Sequence, residues 1–92
     1  MKEFVVVTDE GYAMRVNETE IPLSGTKAKG VLFVRPEFGR PYWVFVRKSE
    51  TQLLLVNVEG KAKKIVLDAI PLTRRGGIAI KVYEDVISAC LV

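Results

Sequence analysis

The sequence predicts an all-β protein built from two copies of one four-stranded, propeller-like unit. Three observations predict it. "FVVVTDEGYAMRVNETEIPLSG" (Phe4 to Gly25) lies over "LLLVNVEGKAKKIVLDAIPLTR" (Leu53 to Arg74) at a constant shift of 49 residues, so that Gly11 falls on Gly60, Ala13 on Ala62 and Ile21-Pro22-Leu23 on Ile70-Pro71-Leu72. The apolar runs are short, rich in β-branched and aromatic residues, and bounded by Gly and Pro. No ten-residue stretch carries a helical period of 3.6. The repeat divides the chain into blade-like units at 1–48 and 49–92, one structural module together.

Each element has a local reason. Phe4 to Thr8 is a β-branched strand, and "TDEG" turns it back through Gly11, which tolerates positive φ. Tyr12 to Asn17 returns. "NETEIP" reads as a short single-turn corner closed by Pro22, which cannot donate to a ladder. Gly30 to Arg35 is expected as a third strand, "RPEFGRP" as a loop and Tyr42 to Arg47 as the fourth strand. The second unit repeats the plan: Gln52 to Val58, Lys61 to Val66, a corner at Leu67 to Pro71, Gly77 to Tyr83, a tight Glu84-Asp85 turn and Val86 to Leu91. After Ser24 over Thr73, closing a two-residue gap brings Gly30-Val31 over Gly77-Ile78.

Composition bounds the function. Apolar residues make 49% of the 92 and charged residues 27%, the balance of a folded domain. No run is long enough to cross a bilayer, and Met1 to Phe4 lacks a signal peptide's apolar core, so no membrane association and a cytoplasmic location are expected. Cys90, in the apolar run "ISACLV", is expected to be a buried structural thiol. Enzymology finds little support: the chain has no His, its one Cys cannot build a thiolate cluster, its serines lack an evident base, and the acids Asp9-Glu10 and Glu84-Asp85 sit in turns. No catalytic residue, metal ligand or cofactor is assigned.

The net charge of +3 is uneven. Residues 1–60 carry eight basic and eight acidic groups, whereas 61–92 carry six and three. Lys61, Lys63, Lys64, Arg74, Arg75 and Lys81 face only Asp68 between 61 and 81. The densest point is "PLTRRGGIAIKV", where Arg74-Arg75 precede Gly76-Gly77: guanidinium groups that chelate phosphate oxygens beside backbone that permits close approach. The opposing reading is a solvated turn. Lys61 and Lys63 share one face of the second hairpin by alternation. Lys27 and Lys29 hold the corresponding segment of the first unit, and Arg35 and Arg40 read as solvated loop charges. Trp43 and Phe45 alternate with Tyr42 and Val44, and core packing explains them better than base stacking. Phe38, in a polar loop, is a candidate partner contact.

The ordered set Thr8-Asp9-Glu10-Gly11-Tyr12-Ala13-Met14-Arg15, Ile21-Pro22-Leu23 and Lys29-Gly30-Val31, repeated as Glu59-Gly60-Lys61-Ala62-Lys63-Lys64, Ile70-Pro71-Leu72 and Arg74-Arg75-Gly76-Gly77, resembles the C-terminal blades found in the A subunit of DNA gyrase and in its topoisomerase IV counterpart. "TRRGGIA" (Thr73 to Ala79) is similar to the gyrase motif Q-R-R-G-G-K-G in its four central residues and differs at Thr73, Ile78 and Ala79. The resemblance implies a β-pinwheel with strands exchanged between blades, no catalytic residues and a basic rim that wraps duplex DNA through phosphates. It places Arg74, Arg75, Gly76, Gly77, Lys61, Lys63, Lys64, Lys27, Lys29 and Arg15 on that rim. Because the family's disc has about six blades, two units also imply a head-to-tail homo-oligomer, and a trimer would supply the number. The alternative expectation is a structural or protein-interaction module that has lost DNA binding.

Overall fold

The structure, a computed structural model, describes residues 2–92. Among these residues there are three single-turn 3-10 segments and eight strands: β1 (Glu3–Thr8), β2 (Tyr12–Asn17), β3 (Pro41–Arg47), β4 (Gln52–Asn57), β5 (Ala62–Val66), β6 (Leu72–Thr73), β7 (Ile80–Lys81) and β8 (Val86–Leu91). No α-helix occurs among the described residues.

The strands form two sheets. The first runs β3-β1-β2, antiparallel throughout, and the free edge of β2 is completed from the second half of the chain. There β6 pairs parallel to β2, Arg15 opposite Leu72 and Val16 opposite Thr73, while β7 pairs antiparallel, Tyr12 opposite Lys81 and Ala13 opposite Ile80. The second sheet repeats the order as β8-β4-β5 and stops at β5. Chain segments therefore cross between units, as strand exchange requires.

The sheets meet through one core. Val5, Val7 and Ala13 of the first pack with Leu53 and Leu55 of the second, together with Leu67, Ile70, Val82 and Val86. Trp43 and Phe45 pack against this core, while Tyr42 and Val44 are exposed, as alternation along β3 predicts. A second cluster, Val6, Met14, Val16, Val34 and Ala79, covers part of the opposite face of the first sheet. An ion cluster ties the corner of the second unit to the first sheet. Arg15 and Arg47 both reach Glu3, at 3.0 and 3.1 Å, and Asp68, at 3.7 and 3.1 Å. The hydrogen bonds from Arg47 to Glu3 and then Asp68 raise its pKa further above its already high value.

Three expectations need correction. Residues Gly30 to Arg35 form no strand; they lie across the first sheet, with Val34 buried against Val6 and Met14 and Phe33 edge-on to Phe4. The run expected from Gly77 to Tyr83 is a strand only at Ile80–Lys81, and the short β6 precedes it. Cys90 is exposed, because on β8 it shares the outer side of the second sheet with Leu54, its register partner. Phe38 is half-buried, its ring 5.3 Å from that of Tyr12.

Candidate nucleic-acid interface

Between β6 and β7 the chain leaves the edge of β2 and comes back. That excursion is Arg74 to Ala79, and its turn is closed by the Gly77 amide donating to the Arg74 carbonyl at 2.9 Å. Gly76 sits within the turn at φ 68, a left-handed conformation that disfavours a side chain. Gly77 is buried with ordinary φ. It is needed for space: a Cβ there would strike the Thr73 side chain and come within 2.8 Å of the Arg74 carbonyl. The two glycines thus do different work in fixing one turn.

The turn is docked on the first unit. The Gly76 amide donates to the Phe33 carbonyl at 2.8 Å, and Arg35 Nε donates to the Gly76 carbonyl at 2.7 Å. Arg75 Nε donates to the Glu20 carbonyl at 3.0 Å, which holds its guanidinium over the first corner. Arg35, Arg74, Arg75 and Gly76, with Leu32 and Glu20, line an open hollow of about 430 Å³. Among the described residues neither Arg74 nor Arg75 forms an ion pair; Arg35 pairs with Glu37 at 3.7 Å. Three guanidinium groups around a water-accessible concavity can hold an anion by charge-assisted hydrogen bonds.

The other candidates divide. Arg15 is buried, donating from Nε to the Ile70 carbonyl at 2.7 Å and from Nη1 to Glu3 at 3.0 Å, so its charge is used inside the fold. Lys63 shares its side of the sheet with Leu53 and Leu55. Its Nζ donates to the Val82 carbonyl at 3.0 Å and lies 5.4 Å from the Tyr83 ring. Lys64 is on the opposite side, beside Leu54, while Lys61 leads into β5; both are exposed. Lys27 and Lys29 lie in the exposed 21–32 segment, away from the hollow's lining. The structure thus gathers Arg74, Arg75, Gly76 and Gly77, keeps Lys27, Lys29, Lys61 and Lys64 exposed elsewhere, and engages Arg15 and Lys63.

Arg35 is the addition that sequence reading missed. Its partner lies 41 residues away, and nothing local to "RPEFGRP" signals it. Lys81, too, is engaged, its Nζ 2.6 Å from the Glu10 carbonyl and 5.2 Å from the Tyr12 ring.

Against this geometry stand the comparisons with known proteins. The family model of the DNA gyrase C-terminal domain, beta-propeller, matches residues 2–35 and 51–87, most of both units. The A subunit of DNA topoisomerase 4 from Streptococcus pyogenes serotypes M3, M18 and M1 is 25% identical over 85 residues, which cover 92% of this chain and 10% of each relative. The chain spans about a tenth of the length of these curated relatives.

Proposed function

Because the chain belongs to the DNA gyrase C-terminal domain family of beta-propellers, we propose that it is a non-enzymatic module that binds duplex DNA through the phosphate backbone, with little base readout. The observation that carries this reading is the docked turn at Arg74 to Gly77. It displays two arginines that form no ion pair among the described residues, beside Arg35 and around one open hollow. Backbone charge supplies most of nonspecific affinity, and rigid display avoids the entropy of ordering long side chains at the moment of binding. Gly76 and Gly77 shape the turn. Lys61, Lys64, Lys27 and Lys29 extend the basic surface, whereas Arg15 and Lys63 belong to the scaffold. Copies of the chain associate head to tail, and three would provide about six blades.

Titration of fluorescent duplex DNA at several salt concentrations tests the reading. Log affinity should fall linearly with log salt, and the Arg74→Ala/Arg75→Ala double variant should lower the slope by about 2. Absence of binding at low salt would overturn it. A second reading, a structural or protein-interaction module, is favoured by the modest net charge of +3 and by exposed apolar residues such as Leu23, Val44 and Ile78. That outcome of the titration would select it.

A further inference from the structure

The two sheets obey one plan, but only the first is finished. The 49-residue shift maps β1 on β4 and β2 on β5, and β3 and β8 hold the same place in their two sheets. In the first sheet the far edge of β2 receives β6, with the Arg15 amide donating to the Pro71 carbonyl at 3.0 Å. In the second sheet the corresponding edge of β5 receives nothing among the described residues. The counterpart of β6 in the first unit, Leu23-Ser24, is equally unpartnered: every residue from 21 to 32 is exposed, and Leu23 is fully so. Ile70 is 0% exposed beside its completed sheet, while its repeat mate Ile21 is 40% exposed. A Cβ on Gly11 would strike the Tyr83 backbone, whereas a Cβ on its mate Gly60 would meet no described atom within 4 Å beyond its chain neighbours. The chain carries an empty socket at one end and a loose plug at the other.

We infer that a second copy of this chain fills the socket, its Leu23-Ser24 segment adding as a parallel strand to the edge of β5. The register follows from the joint already made inside the molecule: Leu23 opposite Lys64 and Ser24 opposite Ile65, with the Lys64 amide donating to Pro22. The faces agree with the edges. Val5 and Val7 of the first sheet pack on Leu53 and Leu55, which are the repeat mates of Phe4 and Val6. The units therefore stack front to back. The outward faces left over are the Leu54 and Val56 side of the second sheet and the Phe4 side of the first, where Val44 and Val46 are 52% and 41% exposed. These two faces are different surfaces, so the contact is heterologous and propagates head to tail rather than closing as a two-fold dimer. Lys27 and Lys29 lie in the loop that follows the plug, the counterpart of the one carrying Arg74 and Arg75, so each joint would add basic groups to the assembly's rim.

This deepens the head-to-tail reading above and rests on it. Light scattering on a size-exclusion column should give the 92-residue chain a mass of a small multiple of the monomer. Lys64→Pro removes the amide that faces the socket, leaving the ladder to β4 in place, as proline is tolerated where an edge N–H points outward. Leu23→Asp puts a charge on the plug, where no folded contact is lost. Both variants should run as monomers. In a Cys90→Ser background, Leu23→Cys with Lys64→Cys should give disulfide-linked chains on oxidation, since adjacent strands bring Cα atoms within bridging range. Oligomers whose mass neither variant changes, without cross-linking, would overturn this joint and leave self-association standing. A monomeric parent chain at all concentrations would overturn both, and neither result bears on the DNA titration.

Discussion

Gly76 and Gly77 should fail for opposite reasons when replaced, and the pattern of failure tests the turn directly. Gly76 has room: the nearest atom to an added Cβ outside its immediate neighbours is a Leu32 methyl at 3.8 Å. Its constraint is conformational, φ 68, so Gly76→Ala should cost about 1–2 kcal/mol. Gly76→Asn should recover much of that loss, because asparagine visits the left-handed region readily. Gly77 has no such constraint on φ but no room. The added methyl would meet the Thr73 side chain, with the Thr73 Cβ at 2.9 Å and the Arg74 carbonyl at 2.8 Å. Rotating the threonine hydroxyl away relieves only part of this, so Gly77→Ala should cost about 1–3 kcal/mol, the range of overpacking. Gly77→Asn should cost at least as much. Urea midpoints at fixed protein concentration, with unchanged m-values, measure all four. A neutral Gly77→Ala, or a Gly76→Asn as costly as Gly76→Ala, would refute the division of labour.

Two further outcomes follow from the charged groups. Arg15→Ala should destabilise by about 2–3 kcal/mol, since it strips the buried Ile70 carbonyl of its donor while Glu3 keeps Arg47; the salt dependence of DNA binding should be unchanged, whereas a lowered slope would return Arg15 to the interface. Glu50 accepts the Lys48 amide at 2.6 Å, and that bond holds its pKa below the usual carboxylate range. Its stabilising contribution is therefore complete above about pH 5 and is lost as pH falls through the lowered folded value. Glu50→Gln should flatten the acid limb of urea midpoints measured between roughly pH 3 and 6, and an unaltered limb would show that the bond contributes nothing.

What the sequence made legible was what depends on neighbours in the chain. β2 and β8 run as their patterns predict, because a short apolar run bounded by turn residues is a local signal. The corners after Asn17 and Val66 are 3-10 turns for the same reason, and Asn17 accepts from the Thr19 amide to cap the first. Gly30 to Arg35 misled because an apolar run reports that it will be buried, not how. Val34 is buried by lying across a sheet whose edge β6 and β7 already occupy. Cys90 misled for a related reason: β8 alternates, and only the side bearing Ala89 and Leu91 meets the shared core. At the candidate interface, "RRGG" was visible as composition. The docking of its turn by Phe33 and Arg35 was not, since both partners come from the other unit.

The repeat mates show how environment and sequence have parted. Leu67 lies in the shared core, and its mate is Glu18, exposed at the first corner. Such pairs differ where one unit has a neighbour and the other has solvent. Ile21-Pro22-Leu23 keeps the residues of Ile70-Pro71-Leu72 although Ile70 is 0% exposed and Ile21 is 40% exposed. Solvation alone would have favoured a polar residue there, as it does at Glu18. An apolar tripeptide held at an exposed edge is what a strand-donating segment requires, since its isoleucine must seat in a core as Ile70 does while its backbone satisfies an open ladder. On that argument Leu23→Asp should leave the urea midpoint of the dissociated chain unaltered while abolishing self-association. A substantial drop in that midpoint would mean that Leu23 packs within its own chain, and the socket would need another occupant.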